Sequence, residues 1–93
     1  MDIRVLIADD DMGMRLVLNK AIEKAGGFTI AGEAEDGNTA LRLYEKLRPD
    51  VVFLDVEMPL LNGVECAKKM ADINPKTVVI FATAHGGVHV GSL

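Results

Sequence analysis

The stretch of sequence that decides the fold is PDVVFLDVEMP, at residues 49–59. Its centre, Val51 to Leu54, is short and continuously apolar, which is typical of a strand covered on both faces of a parallel sheet. An acidic residue, Asp55, follows this strand at once. The sequence therefore predicts a carboxylate at the C-terminal end of a buried strand.

Three other apolar, β-rich segments predict further strands, and they lie at Ile3–Ala8, Phe28–Glu33 and Thr77–Ala82. Between the strands, apolar residues recur at the 3.6-residue spacing that lines one face of a helix. The three predicted helices are Met14–Ala25 before Gly26 and Gly27, a segment between the cap Asp36 and Pro49, and Val64–Ile73 before Asn74 and Pro75. Pro49 is expected to end the second helix by constraining the backbone of Arg48.

The alternation of strands and helices predicts the fold class. Right-handed crossovers between parallel strands place successive helices on both faces of the sheet, so the order βαβαβαβ predicts an α/β fold with a doubly wound parallel sheet. With 93 residues, 49% of them hydrophobic, the chain forms one domain.

Composition excludes several classes of protein. The apolar runs are far shorter than the ~20 residues that cross a bilayer, and Asp9 to Asp11 stand where a signal peptide would be apolar, so a cytoplasmic location is expected. The single cysteine, Cys66, can form neither an internal disulfide nor a zinc site. The net charge of −4 argues against nucleic-acid binding by this chain itself.

Acidic residues follow two of the predicted strands, Asp9 and Asp10 after the first and Asp55 after the third. In a doubly wound fold these strand ends meet at the binding edge of the sheet. Two like charges at ~4 Å repel by about 4 kcal/mol at an effective dielectric near 20, so such a cluster normally needs a cation. Oxygen ligands suit Mg²⁺ better than Zn²⁺. The next residue, Asp11, is expected to cap a helix instead of binding the metal.

These residues together resemble the receiver domain of bacterial two-component response regulators. The resemblance covers residues 3–85 and rests on ordered motifs, namely Ala8-Asp9-Asp10-Asp11 with Arg15, residues 49–59, Asn62-Gly63 and Thr83-Ala84. It implies a flavodoxin-like fold, like that of the chemotaxis regulators, with the strand order 2-1-3-4-5. It also implies a signalling switch and not a metabolic enzyme.

The resemblance also implies roles for individual residues. Asp55 would accept a phosphoryl group from a sensor histidine kinase and so switch an output domain or regulated protein. Asp9, Asp10 and Asp55, with the backbone carbonyl of Glu57, would hold Mg²⁺. The Thr83 hydroxyl would donate a hydrogen bond to the phosphoryl group.

The sequence departs from the family's pattern after the fourth strand. It encodes four predicted strands and three helices, and it lacks the family's last strand, two helices and a phosphoryl-pairing lysine. Residues 1–85 are therefore interpreted as a truncated receiver domain, and impaired phosphorylation is expected. The fourth strand would then be an open edge, which predicts self-association through that edge.

Residues 86–93 form a tail with two interpretations. The tail is either a frayed end foreign to the domain, or a short edge strand that turns at Gly86-Gly87 and pairs antiparallel with strand four.

Two other functions remain open at this point. A phosphorylation-independent interaction or oligomerisation module would use the fold without the chemistry. An aspartate-nucleophile phosphohydrolase would also place an aspartate after a strand, although it normally has a second aspartate two residues later, where this chain has Glu57.

Overall fold

The computed structural model describes residues 2–83 and 87–91, with the backbone alone described at Thr83 and at residues 87–91. Helices flank a five-stranded sheet of order β2-β1-β3-β4-β5. The elements are β1 (Ile3–Ala8), α1 (Met12–Ala25), β2 (Phe28–Ala34), α2 (Gly37–Leu47), β3 (Val51–Leu54), α3 (Gly63–Ile73), β4 (Val78–Thr83) and β5 (Gly87–Gly91).

The first four strands are parallel, which confirms the predicted fold class. The register places Val51 opposite Val5 on one side and Val78 on the other, so β3 is paired along both edges. A register shift after Val5 leaves one extra β2 residue, Ala31, unmatched in the pairing of β1 with β2. The sequence pattern had not predicted this irregularity.

Polar side chains fix where α1 and α2 begin. The Asp11 carboxylate accepts the Gly13 N–H at 2.8 Å, so α1 begins at Met12, two residues before its first predicted apolar position. The Asp36 carboxylate accepts the Thr39 N–H at 2.7 Å in the same way. Both predicted caps are therefore confirmed, because each satisfies a backbone donor that has no partner within the helix.

The helix ends are also defined by local chemistry. Gly26 and Gly27 have φ of 74° and 81°, the positive values expected of glycines after α1. Arg48 ends α2 before Pro49, but it adopts the left-handed region with φ 49° instead of extended backbone. The Arg4 guanidinium donates to the carbonyls of Leu47 and Arg48, which helps to stabilise this conformation by satisfying the last carbonyls of the helix.

The larger core lies between the sheet and the helices α2 and α3. Tyr44 is 1% exposed there, and its hydroxyl lies 2.6 Å from that of Thr77. Cys66 is fully buried and its Sγ donates to the Gly37 carbonyl at 3.2 Å. Burial raises the pKa of the Cys66 thiol to about 11, so this cysteine packs in the core as a neutral side chain.

The opposite face of the sheet is covered by α1. Its smaller core contains Val5, Ile7 and Ile22. The outer side of α1 carries exposed apolar residues, among them Leu16 and Val17. Within the described part of the chain, no helix has the length and apolar character needed to cross a membrane.

The fifth strand comes from the tail of the chain. Gly87–Gly91 pairs antiparallel with β4, so the open edge predicted for strand four is wrong and the edge-strand interpretation holds. The predicted two-residue turn is also wrong, because Gly87 already pairs with Thr83. The connection therefore comprises residues 84–86, and these three residues, among them His85, lie outside the described residues. The boundary proposed at residue 85 stays a prediction.

Candidate functional site

Three carboxylates meet at the C-terminal ends of β1 and β3. One carboxylate oxygen from each of Asp9, Asp10 and Asp55 lies within 4.8 Å of the others. The pairing of Ala8 with Leu54 aligns the two strand ends, and the Asp55 N–H extends it by donating to the Ala8 carbonyl at 2.9 Å. The parallel sheet therefore brings together the three acidic residues that the sequence singled out.

Asp9 is the most buried member of the cluster, with 3% of its surface exposed. Its backbone N–H donates to the Ala34 carbonyl at 3.0 Å, and its Oδ1 accepts the Asp11 N–H at 2.8 Å. Burial raises the pKa of Asp9, and the charges of Asp10 and Asp11 raise it further. A buried carboxylate with like charges beside it is costly to ionise unless a cation is present.

Asp55 is partly buried between this pair and the loop that follows β3. Its Oδ1 accepts the Glu57 N–H at 3.2 Å. Burial raises the pKa of Asp55 to about 6, with further contributions from the charges of Asp9 and Asp10. The raised pKa still lies below 7, so the ionised, nucleophilic carboxylate of Asp55 is available at neutral pH.

The loop after Asp55 is held close to the start of α3. The Gly63 N–H donates to the Val56 carbonyl at 2.9 Å, and a β-carbon at Gly63 would lie 2.1 Å from the Asp55 carbonyl oxygen. Because Gly63 has no side chain, the start of α3 can lie this close to the loop. Pro59 and the left-handed Leu60, with φ 71°, form the outer turn of the loop.

An open depression of about 530 Å³ lies beside the carboxylates. Asp10 and Glu57 line its polar side, and Met58, Pro59 and Val64 line its apolar side. The cluster is thus reachable from solvent at Asp10 while Asp9 is buried. This arrangement lets a small charged group approach the cluster from the side of Asp10.

The donor set fits Mg²⁺. All three clustered side chains are carboxylates, which are the hard oxygen ligands that Mg²⁺ prefers, and neither histidine nor cysteine belongs to the group. The exposed position of Asp10 also leaves room for water, which Mg²⁺ usually retains.

The remaining predicted site residues are placed less completely. Glu57 lies two residues after Asp55 and donates its N–H to that carboxylate. Thr83 is the last residue of β4, and its side chain lies outside the described part of the structure. The proposed role of the Thr83 hydroxyl therefore stays a prediction.

One contact of the site was not predicted from the sequence. Arg15 entered only as part of a family motif, without a role. In the structure its guanidinium donates to the Asp9 carbonyl at 2.6 Å and pairs with the Glu33 carboxylate at 3.4 Å. A basic residue one turn into the helix after an acidic loop is the only sequence signal that could have indicated it.

The metal-free protein is expected to lose stability at this cluster as the pH rises from about 3.8 to about 6. Asp55 keeps its proton to a higher pH in the folded chain than in the unfolded chain, so the free energy of unfolding falls across this window. Asp55→Asn should flatten this part of the profile and raise stability at pH 7 by on the order of 1 kcal/mol, after allowance for solvent screening. Urea unfolding in EDTA at several pH values measures both effects.

Asp36→Asn is the control, because Asp36 and Asp55 change the free energy of unfolding in opposite directions as the pH rises. The Thr39 N–H holds the pKa of Asp36 below its ordinary value, so the contribution of Asp36 is present above the unfolded pKa and is lost as the pH falls. If the difference between Asp55→Asn and the wild type does not change across the pH window, the expected effect of Asp55 is absent.

Comparison with known proteins identifies the family. The pattern of the response regulator receiver domain matches residues 5–91, nearly the whole chain. The chain belongs to the response regulator receiver domain family. The chemotaxis protein CheY of Thermotoga maritima is 42% identical over 83 residues, which are 89% of this chain and 68% of that protein.

Solved receiver domains have the same fold. The response regulator domain of Thermotoga maritima CheB matches with a TM-score of 0.81 and 37% identity, over 94% of this chain and 66% of that one. A chain of the CheX–CheY–BeF3–Mg²⁺ complex from Borrelia burgdorferi also matches, with a TM-score of 0.82 and 31% identity over 90% of this chain and 63% of that one. This receiver domain spans about two thirds of the length of these relatives. Receiver domains of this family act in two-component signal transduction as switches, not as metabolic enzymes.

Proposed function

We propose that this receiver domain takes a phosphoryl group from a sensor histidine kinase onto Asp55, in a reaction that requires Mg²⁺. The observation that carries the proposal is the convergence of Asp9, Asp10 and Asp55 within 4.8 Å at one edge of the sheet. Membership of the receiver family supports it, and the related complex from Borrelia burgdorferi contains both Mg²⁺ and BeF3.

Asp9, Asp10 and Asp55 would hold the metal, with the Glu57 backbone carbonyl as a further ligand. When bound, Mg²⁺ offsets the repulsion between the attacking carboxylate and the oxygens of the phosphoryl group. The Glu57 N–H donates to Asp55 Oδ1 and so helps to orient the carboxylate, whose other oxygen would be the nucleophile. Asp9 is fixed in position because it is buried and its Oδ1 accepts the Asp11 N–H, and a bound cation would favour its ionised form.

The reaction itself is a transfer between two nucleophiles. The free oxygen of Asp55 attacks phosphorus in line with the leaving group, and the P–N bond of the donor phosphohistidine breaks as its electrons return to the imidazole. Positioning and electrostatics supply most of the catalysis of such a transfer. The resulting aspartyl phosphate adds charge next to the end of β4, where Thr83 would donate a hydrogen bond to it.

The proposed switch would act on downstream partners through the surface of the domain. A change at Asp55 and Thr83 would alter the surface that an output domain or regulated protein recognises. Self-association through β4 does not belong to the proposal, because both edges of β4 are paired. The cytoplasmic location stays a prediction.

A phosphorylation-independent interaction module is the second candidate. It is favoured by β5, which runs antiparallel and leaves a connection of three residues after β4, too short for a crossover helix. A sheet ending in this way presents the outer edge of β5 for other contacts. The phosphohydrolase alternative gains no support from the site, where a glutamate stands two residues after Asp55.

One experiment separates these functions. The protein is incubated with acetyl phosphate and Mg²⁺, and intact mass spectrometry measures the phosphoryl adduct. The proposal predicts a single adduct that disappears when EDTA replaces Mg²⁺. Absence of an adduct would favour the interaction module. Release of many equivalents of phosphate would support the phosphohydrolase.

A further inference from the structure

We infer that Arg15 is a positioning residue that holds the β1–α1 loop in the shape required for Mg²⁺ binding. The inference rests on the proposed function, because it concerns the metal site formed by Asp9, Asp10 and Asp55. Arg15 does not contact the metal ligands' carboxylates among the described contacts. It acts through the backbone of Asp9 and through Glu33.

The contacts of Arg15 form a continuous chain from β2 to the acidic loop. The guanidinium Nη1 donates to the Asp9 carbonyl at 2.6 Å, and Nε lies 3.4 Å from Glu33 Oε1. The other oxygen of Glu33 accepts a hydrogen bond from the Asn19 side-chain amide at 3.1 Å. Both oxygens of Glu33 are therefore engaged, and Arg15 is held from one side while it holds Asp9 from the other.

The contact at the Asp9 carbonyl fixes the peptide that joins Asp9 to Asp10. The direction of this peptide decides where the Asp10 side chain leaves the loop. Asp10 is exposed, and without a metal its carboxylate is repelled by its two neighbours, so it would turn into solvent if the peptide were free to rotate. The Arg15 side chain is 14% exposed, which shields the contact from competing water.

Because Arg15 is positively charged, the direction of the change in Mg²⁺ affinity on its removal tests the inference. A cation beside a metal site repels the metal, so a purely electrostatic role predicts that loss of Arg15 tightens Mg²⁺ binding. A positioning role predicts that loss of Arg15 weakens Mg²⁺ binding, because part of the binding free energy is then used to order the loop. Loss of partners outside the ligand shell typically weakens metal affinity 10- to 100-fold in other proteins.

The experiment measures the Mg²⁺ dissociation constant by NMR titration of backbone amides. Arg15→Gln is expected to raise this constant by about tenfold. Arg15→Lys keeps the charge but cannot donate to Asp9 and Glu33 in the fixed fork of a guanidinium, so it should rescue only part of the affinity. Asn19→Ala changes no charge and should weaken binding by about two- to threefold, because it releases only the outer support of Glu33.

Lys20→Gln is the matched control. It removes a positive charge from the exposed side of α1, and Lys20 forms no ion pair or hydrogen bond among the described residues. We expect it to bind Mg²⁺ as the wild type does, or slightly more tightly. Urea unfolding of each variant shows whether the fold is kept, and the charge-neutral Asn19→Ala variant keeps the test decisive if Arg15→Gln unfolds.

A second measurement follows the loop without any metal. The Asp11 N–H, which donates to Asp9 Oδ1, should exchange faster with solvent in metal-free Arg15→Gln than in the wild type. Unchanged or tighter Mg²⁺ binding by Arg15→Gln, with Arg15→Lys equal to the wild type, would overturn the inference and leave the proposed function intact. A wild-type protein that binds no Mg²⁺ would overturn the proposed function as well.

Discussion

Asp55→Asn is expected to abolish the phosphoryl adduct completely. The asparagine amide has nearly the same shape as the carboxylate, so the fold is retained, but its neutral oxygen is a poor nucleophile and provides no charge for the metal. The Glu57 N–H can still donate to the amide oxygen at this position. Intact mass after incubation with acetyl phosphate and Mg²⁺, followed by peptide mapping of the wild-type adduct, measures the effect.

Asp50→Asn is the matched control for this prediction. The same substitution is then made just before the other end of β3, where Asp50 is exposed and accepts the Arg4 N–H at 2.9 Å. Its adduct should equal that of the wild type. A persistent adduct in Asp55→Asn, mapped to Asp9 or Asp10, would assign the acceptor to another residue of the cluster.

Gly63→Ala is expected to destabilise the protein by at least about 2 kcal/mol, a large effect for one methyl group. The added β-carbon would lie 2.1 Å from the Asp55 carbonyl oxygen and 2.9 Å from the Val56 Cα. Both are backbone atoms, so no side-chain rotation relieves the clash. Either α3 or the loop after Asp55 must move, and Mg²⁺ binding should weaken together with the midpoint of urea unfolding.

Gly13→Ala provides the comparison for this loss. Its β-carbon would meet only the Asp11 side chain, at 3.2 Å, and alanine is the better helix former in the first turn of α1. Its stability should lie within about 1 kcal/mol of the wild type. Equal unfolding midpoints for Gly63→Ala and Gly13→Ala would show that the loop yields without cost, contrary to the close approach described.

The elements that the sequence predicted are those governed by local chemistry. Asp11 and Asp36 indicate helix starts because their side chains accept backbone N–H groups two and three residues later. Asp55 could be placed beside Asp9 because parallel strands deliver their C-terminal residues to one edge. The acidic site was therefore accessible to sequence reasoning before any contact was known.

The features that were missed depend on partners distant in the chain. The left-handed Arg48 follows from hydrogen bonds with Arg4, which lies more than 40 residues earlier. Arg15 acquires its role only when β2 brings Glu33 next to α1. The pairing of β5 was one of two open interpretations, since a short alternating tail does not by itself determine its register.

The interior position of β1 in the sheet has a consequence for synthesis of the chain on the ribosome. This strand lies between β2 and β3, and the Arg4 N–H donates to Asp50, 46 residues further on. At a typical synthesis rate, those residues take roughly 2–9 s to be made. Throughout that interval the first apolar strand has no finished neighbour on one side, which makes the nascent polypeptide a natural client for chaperones.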